Sequence, residues 1–533
     1  MAAGRLKFFG WGREGEGMTA AEEQAALQRY ATLFGQAEFP AEPAPRPEEI
    51  ELPVPRVSPP PSLSAVLSAD HYERLAHTYG KSYPDTVKGL ARDFANAPDL
   101  VAFPRSEAEV AAVLDWAGTV DASVTPFGGG SSVVGGVEPI RGPGHKAAIS
   151  LDLRQLDKVL EVDRSSRAAL IQGGTYGPHL EAQLKPHGLT LRHFPQSFEY
   201  STLGGWIATR GGGHFATLYT HIDDFVENVT VITPKGRIET RRLPGDGAGP
   251  APERMFIGSE GTLGVITAAW MRLQDRPKFR AGGALRFKDL FSAAQAVRAL
   301  AQAGLYPSNC RVLDPGEAQS NGAGDGTHAV MVLAFESADH AVDAWMHRAL
   351  ECCRDLGGVF EAEGNAAGGH RAGAAEQWRT AFIRMPYGRE RMVPRGIIFD
   401  TFETAITWDR FEAFHAKVTG ATADAIKRVT GKPGLVTTRF THAYPDGPAP
   451  YYSFHALGTP GKLLEQWQAV KDAASDALIA AGGTITHHHA VGRDHRRWYD
   501  RQRPDLFAAA MKAAKRTLDP KGLLNPGVLF DAD

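Results

Sequence analysis

At 533 residues, with 43% apolar and 22% charged side chains, the chain is long enough for two or three domains and ordinary enough for globular folding. Its formal net charge of -3 excludes a global field that would favour nucleic acid. The three cysteines, Cys310, Cys352 and Cys353, form neither a disulfide framework nor a zinc knuckle and fit a reducing compartment. No N-terminal segment pairs a basic start with an apolar stretch, and no run approaches the ~20 apolar residues of a spanning helix. The ending Phe530-Asp531-Ala532-Asp533 is not a peroxisomal Ser-Lys-Leu signal. The expectation is a cytoplasmic protein, soluble or peripheral to a membrane, with a small-molecule or lipid-like substrate, no nucleic-acid partner and room for a homodimer.

Residues 1–65 read as an arm and linker. A helix over 18–35 is capped by Thr19, carries Glu22 and Glu23 in its first turn and ends at Gly35. Residues 40–61, rich in Pro and Glu, read as extended linker, and 63–79 as a second helix. From Pro98 short strands and helices alternate. Residues 100–104 are a strand, and Ser106 caps a helix to Trp116 with Glu109 completing a capping box. Strands are expected at 124–127, 148–151, 168–171, 225–234 and 237–240, with a helix at 176–185. This alternation ends near Arg276-Pro277. Beyond it come helices at 289–303, 338–356 and 462–481, and strands at 330–335, 397–403 and 451–457. That rhythm suits an antiparallel sheet covered by helices. The Gly/Ala-rich segment 361–375 reads as a mobile loop. Thr484-Ile485-Thr486 reads as a strand ahead of three histidines.

Two glycine-rich segments carry the strongest chemical signal. The first is Pro126-Phe127-Gly128-Gly129-Gly130-Ser131-Ser132-Val133-Val134-Gly135-Gly136, and the second is Ile257-Gly258-Ser259-Glu260-Gly261-Thr262-Leu263-Gly264-Val265-Ile266. Glycine lets a ligand approach the main chain, and successive N–H groups in such turns bind anions. The first is no P-loop, since no Gly-Lys-Ser/Thr follows, and its glycine spacing is not that of a Rossmann fingerprint. Alone, either segment reads equally as a hairpin connection. Together, with Gln196-Ser197-Phe198-Glu199-Tyr200-Ser201-Thr202-Leu203-Gly204-Gly205 between them, they point to a long cofactor with a pyrophosphate.

These segments, with Leu518-Asp519-Pro520-Lys521-Gly522-Leu523-Leu524-Asn525-Pro526-Gly527, resemble the flavin-binding domain of the vanillyl-alcohol-oxidase (PCMH) type. Narrower stretches resemble alkyldihydroxyacetonephosphate synthase: Phe9-Gly10-Trp11-Gly12, Glu199 to Gly205 with Trp206 to Arg210 after it, and Thr486-His487-His488-His489. The resemblance implies a two-domain α+β flavoprotein. Its FAD-binding domain takes residues 66–277 and a return over 482–533, and 278–481 form an inserted α+β substrate or cap domain. It places flavin contacts at Pro126, Phe127, Gly128, Gly129, Gly130, Ser131 and Ser132, and at Gln196, Ser197, Phe198, Glu199, Tyr200, Ser201 and Thr202. Further contacts fall at Thr209, Arg210, Gly211 and Gly212, and at Glu260, Gly261, Thr262, Leu263, Gly264, Val265 and Ile266. Some relatives attach the flavin to His or Cys. The first loop has neither, so non-covalent FAD is expected. His214, beside a flavin segment, reads as a satisfied surface histidine.

The triplet His487, His488 and His489 suits proton transfer near neutral pH. In an extended chain His487 and His489 would share a face and His488 would oppose them. A polar loop is the plain alternative. Hydroxy-acid dehydrogenases related to this family hold a metal near here, but their Gly-Glu-His-Gly pattern is missing and no metal ligand is assigned. The resemblance makes the triplet an active-site element. It maps the substrate arginine before Phe402-Glu403-Thr404 onto Arg389, with Arg384 and Arg391 as competitors, and a second onto Arg311. The catalytic tyrosine falls on Tyr451, with Tyr452 one residue away. The implied reaction exchanges the acyl chain of acyl-dihydroxyacetone phosphate for a fatty alcohol. The flavin N5 acts as nucleophile, Tyr451 and the histidines move protons, and Arg389 grips the phosphate. The rival is an FAD-dependent oxidoreductase acting on a 2-hydroxy acid such as D-lactate or glycolate. A third reading, a flavin-bound protein without catalysis, does not account for the polar cluster.

Overall fold

The computed structural model describes residues 4–219, 221–361 and 382–531. The Gly/Ala-rich segment expected to be a mobile loop lies outside the described residues from 362 onward, as do residues 532 and 533. Two sheets form before residue 278. In the first, Leu100–Ala102, Ala147–Asp152 and Ala122–Phe127 run parallel, with Leu67–Ser68 antiparallel on one edge. Ala147–Asp152 is buried along its whole length, as befits a strand with neighbours on both edges and both faces covered. The second sheet is antiparallel, in the order Val159–Asp163, Ala168–Gln172, Val265–Arg272, Val226–Thr233 and Gly236–Glu239.

The end of the chain returns to the first sheet. The Val124 N–H donates to Leu523 O at 2.7 Å, and the Asn525 N–H donates to Val124 O at 2.9 Å. The strand Ala122–Phe127, which leads into the first glycine loop, is therefore braced by residues almost 400 positions away.

The middle of the chain forms a seven-stranded antiparallel sheet. Its order is Val359–Glu361, Phe279–Phe287, Ala329–Ser337, Asn309–Leu313, Leu435–Ala443, Pro448–Leu457 and Ile397–Glu403. Helices Leu290–Gln302, Asp343–Asp355, Phe411–Thr430 and Leu463–Ala480 cover one face. Strand alternation sends Phe402, Phe440, Tyr452 and Phe454 into that helix-covered core. The same alternation sends Arg311, Arg439, Tyr451 and Glu403 to the opposite face, where chemistry gathers.

Several local expectations change. Residues 63–79 hold a short strand and the six-residue helix His71–Ala76, because the Asp70 side chain caps the chain at that point. The Pro/Glu-rich linker is pinned down. Ile50 is buried, and Arg56 pairs with the buried Asp99 at 3.0 Å. Glu109 accepts from the Arg105 N–H at 2.6 Å, one residue ahead of a capping box. Thr484-Ile485-Thr486 is loop, not strand.

The arm is a strap across both regions. Its helix Ala20–Phe34 starts at a Thr19–Glu22 capping box and ends on left-handed Gly35. Arg384 forks onto Glu22, Lys7 pairs with Glu390 at 2.7 Å, and the Tyr200 hydroxyl donates to Glu16.

Candidate functional site

The expected flavin segments converge. The loop after Phe127 lies on residues 200–202, so closely that a Cβ on Gly129 would stand 1.8 Å from the Tyr200 carbonyl oxygen. Gly261 turns at φ +73 and abuts the Pro126 ring. Within the first loop, the Ser132 hydroxyl accepts from the N–H groups of Val134 and Gly136. Ser197, Ser201 and Trp206 are tied through the Ser201 hydroxyl, and Thr202 caps the helix Leu203–Thr209. Arg210 is left-handed and pairs with Asp223.

A narrow cavity beside Gly129 and Gly130 is walled by Leu6, Trp11, Tyr79, Lys81 and Tyr200. Burial pulls the Lys81 amine down to about 8, with Asp85 and Glu390 opposing that shift. That space is lined mostly by side chains and is too small for a pyrophosphate, but beside it the glycine stretches 128–130 and 261–264 bring bare backbone together, which suits a long phosphate-bearing cofactor. The residues present therefore fit FAD.

Other members of the flavin list have structural partners. Glu260 accepts from the N–H groups of Val491 and Gly492 at 2.9 and 2.8 Å. Leu263, Val265 and Ile266 are buried apolar side chains, so any ligand contact there is left to the backbone. Gln196 donates to Phe382 O, and Glu199 is exposed. His214 meets the Asn309 amide at 2.9 Å.

The third segment, Thr209 to Gly212, leads towards the histidines. A Cβ on Gly212 would meet His442 at 2.9 Å and His488 at 3.3 Å. The histidine triplet sits on a loop of the return segment and does not alternate as a strand would. The His487 ring contacts His221, His442 and Tyr444, while the His488 and His489 rings flank Tyr451. His221 Nε2 and His487 Nε2 both meet the Tyr444 hydroxyl, at 2.5 and 2.7 Å. Ring nitrogens of His442, His487 and His488 lie within 4.8 Å of one another. His442 Nε2 is already on Gly213 O at 3.1 Å, and the Nδ1 atoms of His487 and His488 face each other at 2.9 Å. Burial holds His442, His487 and His488 well below the usual histidine range, so these imidazoles are neutral at pH 7.

Tyr451 lies on the histidine face and donates to Thr401 Oγ1 at 3.1 Å, with the Arg439 guanidinium 3.8 Å from its ring centre. Burial raises its phenol. Tyr452, one residue on, points to the helices, where its hydroxyl meets His415 at 3.3 Å. Alternation thus separates the two tyrosines.

Arg311 is buried, and its Nε and Nη1 have no hydrogen-bond partner in the protein. Burial first, then Arg439, pulls it down to about 9. An anion in contact would offset that cost. Arg389 departs from the free phosphate fork expected of it. Its Nη1 donates to Lys81 O at 2.9 Å, and its Nη2 pairs with Asp400 at 2.8 Å. Asp400 accepts from Trp467 on the helix-covered face, away from Tyr451.

Sequence reasoning missed His221, His442, Tyr444, Arg439 and the role of Glu403. Arg439 and Thr441 share a strand face, so His442 should oppose them. A register shift between Phe440 and His442 returns it to their side.

The comparisons with known proteins agree with this picture. The chain matches the family models for an FAD binding domain over residues 98–241 and for the C-terminal domain of FAD linked oxidases over 276–529. It is 31% identical to an alkyldihydroxyacetonephosphate synthase of Dictyostelium discoideum, covering 87% of this chain and 78% of that protein. It is 25% identical to a glycolate oxidase subunit of Bacillus subtilis, over 83% and 90% of the two chains. A solved alkyldihydroxyacetonephosphate synthase structure superposes with a TM-score of 0.80 at 25% identity, over 98% of each chain.

Proposed function

The chain belongs to the alkyldihydroxyacetonephosphate synthase family, and from that premise we infer how its own residues carry out the exchange. It is an FAD-dependent enzyme that replaces the acyl chain of acyl-dihydroxyacetone phosphate with a fatty alcohol, forming an ether-lipid precursor. Bound FAD supplies the ring nitrogen at which the exchange is carried, with no net change of redox state.

The observation that supports this most is the pairing of a buried arginine that has unused donors with neutral imidazoles around one tyrosine. We assign the phosphate to Arg311, a buried guanidinium whose Nε and Nη1 have no partner in the protein. Charged hydrogen bonds from a guanidinium are the usual means of holding a phosphate. Arg389 instead holds Asp400 and the Lys81 carbonyl, and so shapes the wall of the substrate domain. Tyr451, kept protonated by burial, donates a hydrogen bond to the acyl oxygen, which departs as carboxylate when its bond to the dihydroxyacetone carbon breaks. The neutral imidazoles of His487, His488 and His489 take the proton of the arriving alcohol. Buried walls around them exclude water, which would otherwise compete with the alcohol.

FAD is held non-covalently, a proposal supported by the lack of His and Cys in residues 126–136. Acid precipitation should leave the yellow colour in the supernatant. A lipid substrate also calls for a membrane-facing surface. Leu506, 86% exposed, and Phe507 on the helix Asp505–Leu518 support a peripheral contact. Sedimentation with phospholipid vesicles tests that contact, and sedimentation equilibrium tests the homodimer. Among the described residues no helix is long and apolar enough to cross a membrane.

The test of the reaction class is optical. Acyl-dihydroxyacetone phosphate added to the oxidised, FAD-loaded protein should perturb the flavin absorbance, and lactate or glycolate should leave it unchanged. Bleaching by a 2-hydroxy acid alone would favour the oxidoreductase reading.

A further inference from the structure

We propose that Glu403 is a positioning residue for the exchange: one buried carboxylate at the end of a substrate-domain strand sets the placement of the whole histidine triplet over Tyr451. The proposal rests on the histidines handling protons, as argued above. The Glu403 side chain is 1% exposed. It accepts from Thr486 Oγ1 at 2.5 Å and from the N–H groups of His487 at 2.6 Å, His488 at 3.1 Å and His489 at 3.0 Å. Four consecutive residues thus close as a nest around one carboxylate. The loop has no ladder of its own, so without Glu403 the His487 and His488 N–H groups would be orphaned and the His489 N–H would keep only its 3.2 Å bond to Thr486 Oγ1.

The strand register adds the second half. Glu403 lies directly opposite Tyr451 across the pair Ile397–Glu403 and Pro448–Leu457. The carboxylate that holds the loop and the phenol beneath it are therefore fixed by the same ladder. Next to it, the Thr404 hydroxyl donates to Thr484 O at 2.6 Å and extends the grip. Loop and strand belong to segments about 80 residues apart in the chain, so Glu403 joins the return segment to the substrate domain.

The charge acts as well as the geometry. Carboxylate oxygens lie 4.0, 3.4 and 3.8 Å from the Nδ1 atoms of His487, His488 and His489. Burial lowers all three histidines, and Glu403 raises His487 and His489 against it. The other groups around His487 are His221, His488 and His489; around His488 they are His489, His221, Arg311 and Arg439. Lys471, Asp400 and Arg439 face His489. Glu403→Gln removes the negative charge, leaves the cations, and turns an amide NH2 against the loop donors. Histidine titration then moves to lower pH. Whichever protonation form is active, its limb of the pH–rate profile moves with it.

The experiment uses FAD-loaded full-length protein and the variants Glu403→Gln, Glu403→Asp, Thr486→Val, His488→Ala and the Glu403→Gln/His488→Ala pair, with the other two histidine→alanine changes as references. Glu403→Gln should lower kcat about 10²-fold through misplacement of the reacting groups, change KM by less than about threefold, and shift the histidine limb to lower pH. Glu403→Asp, which keeps the charge, should recover the wild-type limb while remaining slow. In the His488→Ala background the same glutamine change should cost clearly less than in the wild type, because one of the three rings it places is gone. Thr486→Val removes one donor from the loop side, should give a smaller loss of kcat, and decides the matter if Glu403→Gln loses its flavin or fold. Equal fold-losses in both backgrounds, or an unmoved limb with a normal Thr486→Val, would overturn the proposal. Normal rates in all three histidine variants would overturn the proton-handling reading and this proposal with it, whereas slow histidine variants with additive Glu403→Gln would overturn this proposal alone.

Discussion

The glycine-rich loops proposed to hold the flavin and the histidine pocket proposed to hold the substrate are built in opposite ways. The flavin region is built from backbone. Gly128 to Gly130, Tyr200 to Thr202 and Gly261 approach so closely that side chains would not fit. The pocket is built from side chains brought from separate strands and loops. Arg311, Glu403, His442 and Tyr451 come from four strands of one sheet, His221 comes from the first region, and the triplet from the return segment. A backbone site resides in short motifs, whereas a side-chain site resides in the register of a sheet.

The largest expected effect falls on the backbone site. Gly129→Val puts a Cβ 1.8 Å from the Tyr200 carbonyl oxygen, and the two loops must part. Flavin occupancy, read as the 450 nm to 280 nm absorbance ratio, should drop close to zero. Overpacking should also cost stability, about 1–3 kcal/mol. A yellow Gly129→Val protein would show that these loops do not hold the cofactor.

The pocket should respond without losing flavin. Tyr451→Phe should lower kcat about 10²-fold or more, the usual worth of a placed donor to a developing anion. Tyr452→Phe, one residue away but facing the helices, should keep normal turnover and lose about 1 kcal/mol of stability as His415 loses its partner. Similar rates for the two would contradict the strand alternation. Arg311→Lys keeps charge but loses the planar fork. Substrate affinity should fall about ten- to a hundredfold, equivalent to ~1.5–3 kcal/mol, with flavin content unchanged. Arg389→Lys should mainly lower the melting temperature, because its partners are Asp400 and a backbone carbonyl.

The smallest effect is a pH dependence where the two regions meet. Burial pushes Glu260 up to about 7. A raised folded-state pKa gives stability that is fully present below the unfolded value and lost as pH rises through the folded one. The wild-type melting temperature should therefore fall, relative to Glu260→Gln, between about pH 5 and about pH 8, by a few degrees at most. The buried histidines work the other way, losing stability as pH falls, but they are common to both proteins and cancel. Parallel curves would remove Glu260 as the titrating group.

This contrast also explains what could be read from the sequence. The two-domain α+β fold, the cofactor and the main helices were legible because glycine runs, caps and apolar periodicity are local. The sequence left Tyr451 and Tyr452 one residue apart as candidates, and the sheet separates them, with Tyr451 on the histidine face and Tyr452 towards the helices. His442 was not legible, because a bulge reverses its face. Arg389 looked like a phosphate fork because no local pattern reveals that Asp400 and Lys81 O take its donors. Glu403 lay within a recognised Phe-Glu-Thr segment, but its four donors arrive from residues 486–489. Contacts of that kind exist only after the return segment has docked.

The most direct test of the central claim is the fate of labelled fatty alcohol. FAD-loaded protein is incubated under anaerobic conditions with acyl-dihydroxyacetone phosphate and radiolabelled hexadecanol, with no electron acceptor present. The expected result is label in an alkali-stable phospholipid product, with free fatty acid released in equal amount. Absence of label there, together with acceptor-dependent oxidation of D-lactate or glycolate, would contradict it.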